Sequence, residues 1–385
     1  MKNKRKEIKV STQKMLWGMN AGRCARCNTP VYEDPLSHKT LLSGEIAHNT
    51  PASNNGPRKA KQTVGETKQI MEGDNNDISN LLLLCPSCHK EVDSKTSIYT
   101  EEVLRRMKIQ HEKRISYLTS IKEDRECLLV KFFAPIGKNH IDINENEIDE
   151  AMVHAKLYSS NDHQKDLSTS VKELKDGKAT ELVKKEMTEK YNEIVKPALP
   201  DMTVAIFTLA PIPLMIHLGT LFPTGTKLHI FQKYRNRKGN SWNLPVSEED
   251  KESFEIIKPE KVNIDNHVAL ALETTDIISN ERILSAFKTT DVDIWRIRKK
   301  NPSYDIECSH SVLQAWSKMI LELNNELRNT YKCKPLHVFP AINNAFAVEF
   351  GVSRVEKTDP KWIIYDNRDG AFKKSLTIST KRSNA

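Results

Sequence analysis

The first half of the chain turns on one stretch, Asn80-Leu81-Leu82-Leu83-Leu84-Cys85-Pro86-Ser87-Cys88-His89. The apolar run Leu81 to Leu84 reads as a buried segment that ends in a CxxC turn, with a histidine directly behind it. An earlier turn of the same kind is Cys24-Ala25-Arg26-Cys27. Tetrahedral zinc takes soft ligands at about 2.0–2.3 Å, and two CxxC turns each present a pair. Cys24, Cys27, Cys85 and Cys88 would therefore staple the ends of a module across the polar, Asn/Gly/Pro-rich stretch from Asn49 to Asp77, which reads as a long loop or insertion. A closed four-cysteine site leaves no open position, so its zinc would be structural. Four ordinary buried thiols are the alternative.

Between and beside these turns lie residues with proton and metal chemistry. Gly44-Glu45-Ile46-Ala47-His48 reads as a short strand ending in a histidine, and Asn80 and His89 flank the leucine run. Asp93 follows His89 by four residues, on the same face of a helix if one begins there. A histidine near its ordinary pKa can take a proton from water at neutral pH. A divalent ion can polarise a phosphate, and an asparagine can hold a loop or an imidazole in place. The plain alternative is two surface histidines and a loop asparagine. Helical signals flank the group: Met15, Leu16 and Met19 within Ser11 to Asn20, and a basic helix from about Thr100 to Leu118 opened by Thr100, Glu101 and Glu102.

His48, Asn80 and His89 set among four cysteines resemble the HNH endonucleases, the ββα-metal fold. The resemblance covers roughly residues 15–115 and includes Trp17, Gly22-Arg23-Cys24, Gly56-Pro57-Arg58 and the closing segment Lys108 to Glu112 with His111. It implies His48 as general base, Asn80 as positioning residue, and His89 with Asp93 as ligands of a catalytic divalent ion, magnesium or another. Many members carry an acidic or histidine ligand just before the base, where this chain has Ala47. Glu45, phosphate oxygens or water would then complete the shell. The implied activity is metal-dependent hydrolysis of double-stranded DNA, an HNH endodeoxyribonuclease.

The remainder of the chain has a different character. At 385 residues the protein is long for one core, and the expectation is two domains, residues 1–120 and 121–385. Of 59 Lys and Arg and 51 Asp and Glu, residues 1–120 hold 20 and 13, so +7 of the net +8 falls there. That suits a nucleic-acid-facing module beside a near-neutral partner domain, although a solvated basic face reads the same way. Seven cysteines, an odd count, argue against a disulfide framework. The apolar runs are too short to span a bilayer, and the Lys/Arg run from Met1 to Val10 has no apolar core behind it. A cytoplasmic location away from membranes is expected.

From Cys127-Leu128-Leu129-Val130-Lys131-Phe132-Phe133 onward, strand-like runs alternate with helical ones. Strands are expected at Thr203 to Leu209, Leu228 to Gln232, His267 to Leu272, Leu336 to Phe339 and Trp362 to Tyr365. Helices are expected at Pro213 to Phe222 and Ser309 to Tyr331, with exposed helices in the charged stretch Tyr158 to Lys196. Such alternation favours an α/β sheet whose ligand chemistry lies at the carboxyl ends of its strands. The second domain has no Walker motif and no GxGxxG.

Leu209-Ala210-Pro211-Ile212-Pro213-Leu214, Gln232-Lys233-Tyr234-Arg235, Trp242, Cys308-Ser309-His310, Phe339-Pro340-Ala341-Ile342-Asn343-Asn344 and Lys357-Thr358-Asp359-Pro360, in that order, resemble a SAVED domain from about Cys127 to Asp366. The resemblance implies two fused CARF-like Rossmann units that bind a cyclic oligonucleotide. Candidate contacts are Lys233 and Arg235 just past a strand, and Trp242 as a stacking plate or a half-buried core residue. Ser309 is a candidate as well as a helix cap, and Asn343 and Asn344 either touch ligand or form a turn. An HNH module followed by SAVED resembles the effector nuclease of CBASS, the bacterial anti-phage signalling system. There a cyclic di- or trinucleotide promotes homo-oligomerisation, to a dimer or tetramer, and licenses DNA degradation. A restriction- or homing-type HNH nuclease whose second domain reads DNA directly is the main rival, and its expected basic second domain is missing. A zinc-dependent DNA-binding module without catalysis is the other; Ala47 favours it and intact His48, Asn80 and His89 oppose it.

Overall fold

The computed structural model describes residues 7–34, 36–50, 76–137, 141, 144–199, 201–234, 240–242, 254–304, 306, 308–332 and 334–379. The chain divides into two compact units, Met1–Lys122 and Glu123–Ala385.

The first unit runs α1 (Val10–Met19), β1 (Glu45–His48), β2 (Leu81–Leu84), α2 (Pro86–Ser94) and α3 (Glu101–Thr119). β1 and β2 pair antiparallel, with Glu45 opposite Leu84 and His48 opposite Leu81. All four leucines of β2 are buried, packing with Leu16, Val31, Ala47, Val92 and Leu104. Pro86 starts α2, where its missing N–H would have had no helical partner. The Thr100 hydroxyl accepts from the Val103 amide at 3.4 Å and caps α3. That helix buries Leu104, Lys108, His111 and Ile115, a stripe at helical spacing.

The second unit continues with β3 (Cys127–Phe133), α4 (Glu145–His154), β4 (Gln164–Asp166), α5 (Gly177–Lys190), β5 (Thr203–Leu209), α6 (Ile212–Leu221) and β6 (Leu228–Phe231). There follow β7 (Phe254–Ile257), β8 (His267–Glu273), α7 (Asn280–Leu284), β9 (Val292–Lys299), α8 (His310–Tyr331), β10 (Leu336–Ala341), α9 (Asn344–Val352), β11 (Trp362–Arg368) and β12 (Ala371–Ile378). Two sheets result. One is parallel in the order β4-β3-β5-β6, and the other runs β12-β11-β10-β8-β9-β7 with antiparallel edges at β12 and β7. Helices covering both faces of a parallel sheet demand apolar residues in and out along each strand, and β5 and β8 have them.

Each sheet sends a helix to the junction between them, α6 from the β5 loop and α9 from the β10 loop. At their crossing a Cβ on Gly219 would lie 2.0 Å from the Val348 carbonyl oxygen, and one on Gly351 would lie 2.0 Å from that of Ile216. Glycine at both positions lets the two backbones touch, and one apolar core spans both halves.

Several strands the sequence did not announce are present, chiefly β7, β9 and β12, along with α9. β9 buries Asp293, Arg296 and Lys299 beside its apolar residues, so its polarity hides a strand. The stretch Tyr158 to Lys196, expected as exposed helices, needs correction as well. α5 buries Thr180, Val183 and Met187 and runs into a π-helical turn that buries Tyr191 and Val195. Among the described residues no helix is long and apolar enough to cross a membrane.

Candidate functional site

In the first unit the ligand atoms of Cys24, Cys27, Cys85 and Cys88 lie within 4.8 Å of one another. Cys27 Sγ and Cys85 Sγ are 3.8 Å apart, which matches the edge of about 3.8 Å in a tetrahedron with ~2.3 Å metal–sulfur bonds. Burial raises the Cys24 and Cys88 thiols above their ordinary range, even though Arg26 donates to Cys88 Sγ at 3.3 Å. Without a cation these two thiols would stay protonated; a bound ion is what favours thiolates here. The four cysteines can hold a metal ion.

His48 ends β1, and His89 stands at the start of α2, which follows the paired strand β2. His89, in the first turns of α2, has Nδ1 2.6 Å from Glu45 Oε2 and Nε2 3.4 Å from Asp93 Oδ2. A carboxylate can only accept, so the Nδ1 proton points at Glu45. His48, at the end of β1, is buried, and its Nε2 lies 2.9 Å from Asn76 Oδ1. Asn80 works on the backbone just past His48: its Oδ1 accepts from the Thr50 amide at 2.8 Å, its Nδ2 donates to the Thr50 carbonyl at 3.0 Å, and its own carbonyl accepts from Asn49. Nothing in the sequence marks Asn76, which sits in a polar run. Ala47 faces the core. His111 is buried beside Arg114, and burial, with that guanidinium 2.7 Å away, lowers its pKa. Gly56-Pro57-Arg58 lies outside the described residues.

In the second unit a cleft of about 770 Å³ opens at the carboxyl ends of the strands, between loops leaving β3, β4, β5, β6, β8, β9, β10 and β11. Its walls carry Lys175, Lys233, Arg282 and Arg368 against Glu173, Asp276, Asp366 and Asp369. Arg368 Nε donates to Asp366 Oδ2 at 3.0 Å, yet burial still holds the Asp366 carboxyl above its ordinary range. Beneath one wall, fully buried Glu273 accepts from Arg296, from Arg298 Nε at 2.6 Å and from the Ile278 amide at 2.9 Å. Arg296 also donates to the Ile278 carbonyl at 2.8 Å. This network fixes the loop between β8 and α7, and nothing in the sequence pattern pointed to it.

The expected ligand residues divide. Lys233, Asn343 and Asn344 line the cleft, while Arg235 lies outside the described residues. The Lys233 ammonium is 3.0 Å from Glu147 and 4.7 Å from the centre of the Trp242 ring. Both Asn344 amide ends are spent on protein: Nδ2 donates to the Thr208 and Phe231 carbonyls, and Oδ1 accepts from the Lys233 amide at 3.1 Å. It clamps α9 to the ends of β5 and β6. Trp242 as a stacking plate is corrected. It is 3% exposed, packed edge-on against Phe207 and Phe133, and absent from the cleft wall. Ser309 is also outside that wall, and its hydroxyl accepts from the Val312 amide at 3.3 Å, capping α8.

Residues 187–378 match the family model of SAVED, the SMODS-associated and fused to various effectors sensor domain. Among solved structures the chain is similar to the Cap4 SAVED/CARF-domain containing receptor of Acinetobacter baumannii with the cyclic trinucleotide 2'3'3'-cAAA (13% identity, 76% of this chain and 60% of that one, TM-score 0.43). A second structure of the Acinetobacter baumannii Cap4 receptor gives 14%, 79%, 62% and 0.42. The Cap4 receptor of Moraxella osloensis gives 14%, 76%, 58% and 0.39. The chain spans about three fifths of the length of these receptors. No curated protein matches it.

Proposed function

We propose that the chain is a messenger-gated endonuclease: the first unit hydrolyses double-stranded DNA, and the SAVED-bearing second unit binds a cyclic di- or trinucleotide that licenses the cutting. The observation that carries this reading is that His48, Asn80 and the His89–Asp93 pair all belong to the one β1–β2–α2 segment, in a chain whose residues 187–378 match the SAVED family model. Such a pairing fits a CBASS effector.

In the first unit each residue has a job that its contacts support. With Asn76 Oδ1 accepting from His48 Nε2, Nδ1 is the basic nitrogen that takes the proton from water. Asn80 keeps the chain behind that histidine in place. Glu45 orients the His89 ring, which frees Nε2, with Asp93 beside it, to ligate a divalent ion. Glu45 thus serves as the partner of the ligand rather than as a replacement ligand for the missing residue at Ala47. A magnesium or similar ion held there would polarise the scissile phosphate and steady its leaving oxygen. The four cysteines would hold a structural zinc.

Gating has an energetic minimum. To move a resting balance of about 1:99 to 99:1, the messenger must favour the active arrangement by roughly 5.5 kcal/mol. Ligand-promoted association into a dimer or tetramer is one source of it. The test is a plasmid-cleavage assay on the purified full chain with magnesium, with and without a panel of cyclic di- and trinucleotides. Cutting is expected only with a matching messenger, and His48→Ala should lower it by about 10²–10⁴-fold. Cutting at full rate without messenger would instead favour the DNA-reading rival, and wild-type cutting by His48→Ala would end the assignment of the base.

A further inference from the structure

We infer that Tyr304 is the platform on which a base of the bound messenger stacks, and that Asn343 positions it; this rests on reading the cleft as the nucleotide site. A nucleotide needs somewhere to put its flat, apolar base faces, and proteins supply aromatic rings or guanidinium planes for that purpose. Among the described residues of the cleft wall two are aromatic, Tyr304 and Phe372. Phe372 is 6% exposed, edge-packed against Phe339, and has the Arg282 guanidinium 5.0 Å from its ring centre. Almost none of its ring surface reaches solvent. Tyr304 is 52% exposed.

An exposed ring is a useful platform only if its backbone is held, since ordering it on binding costs affinity. The loop leaving β9 is held at two adjacent points. The Ser303 amide donates to the Thr274 carbonyl at 2.9 Å, and Asn343 Nδ2 donates to the Tyr304 carbonyl at 2.8 Å. Asn343 Oδ1 in turn accepts from the Thr274 hydroxyl at 3.2 Å. The Asn343 side chain therefore bridges the exit of β8 to the tyrosine backbone. Both ends of its amide are engaged with protein, and its influence on binding runs through the Tyr304 backbone.

The experiment is calorimetric titration of the full chain with cyclic di- and triadenylate and their guanine counterparts. Tyr304→Ala should weaken the binding member about 5- to 150-fold, the ~1–3 kcal/mol of one base–aromatic stack. Tyr304→Phe should bind within about two-fold of wild type, since the stack uses the ring rather than the hydroxyl. Asn343→Ala should weaken binding in the same direction. Added to Tyr304→Ala it should cost less than about two-fold more, a non-additivity that general loosening of the fold would not produce. Undiminished binding by Tyr304→Ala overturns the inference and leaves the sensor reading standing. If wild type binds no member of the panel, the sensor reading falls and takes the inference with it.

Discussion

In the first unit the candidate groups come from short segments that bond directly to one another. β1 ends in His48, β2 runs straight into Cys85 and α2, and Cys24 to Cys27 is joined to β2 through the amide of Ala25, which donates to the Leu83 carbonyl at 2.8 Å. In the second unit the cleft is walled by loops from eight strands, with lining residues that run from Ile136 to Phe372. The first kind of site depends on a few covalent spacings and on four thiols placed to hold a metal ion. The second depends on how two sheets and their helices pack. The two should therefore fail under different insults.

Metal removal should separate them most sharply. A structural zinc in a small module is worth about 10–16 kcal/mol, while the main apolar cluster among the first unit's described residues holds a dozen buried side chains. A strong chelator, or Cys24→Ser, is expected to abolish the first unit's thermal transition while leaving the second unit's transition in place. Calorimetry with metal analysis reads both. Two unchanged transitions in metal-free protein would break the comparison.

Acid should act the other way, on the second unit through buried imidazoles. Burial lowers His217 to about 3 and His229 and His337 to about 4. These rings are neutral when folded, whereas in the unfolded chain they titrate near 6.5. Their contribution is intact above about pH 6.5 and is lost as the pH falls toward 3–4, because the unfolded state then binds more protons. The loss is on the order of several kcal/mol by pH 4. The second unit's melting temperature should drop steadily from pH 6.5 to 4; a flat profile would mean these rings are not buried and neutral.

The candidate groups of the first unit stood out in sequence because they lie at short spacing: CxxC, a histidine ending a strand, an aspartate four residues past another histidine. Asn76 was not, since an asparagine in a polar run has nothing to mark it until the fold sets its amide against His48. In the second unit β5, β8 and β10 and their apolar runs were readable, as were the helices α6 and α8. The cleft wall was not. Arg296 and Arg298 read as surface charge in sequence but are bound to the buried Glu273, and Tyr304 lies in a turn without periodic neighbours. Trp242 misled for the converse reason: a polar turn precedes it, while its ring fills the space between Phe133 and Phe207.

Ser309 offers the smallest and most discriminating test of this contrast. A serine before a helix can cap it, face a phosphate, or do both, and the sequence allows each. Its hydroxyl is engaged with the Val312 amide and with the Ser311 hydroxyl at 2.9 Å, away from the residues that wall the cleft. Ser309→Ala should then cost about 1 kcal/mol of stability, the usual worth of a serine cap, and leave affinity for the proposed messenger within about two-fold. Ser309→Asp, which keeps the cap and adds charge at a helix N-terminus, should restore the stability without harming binding. A phosphate contact predicts the opposite pair of results: weaker binding for alanine, and weaker still for aspartate by charge repulsion. Melting and titration of the two variants therefore decide whether the polar residue at this helix start belongs to the packing of the second unit or to its ligand.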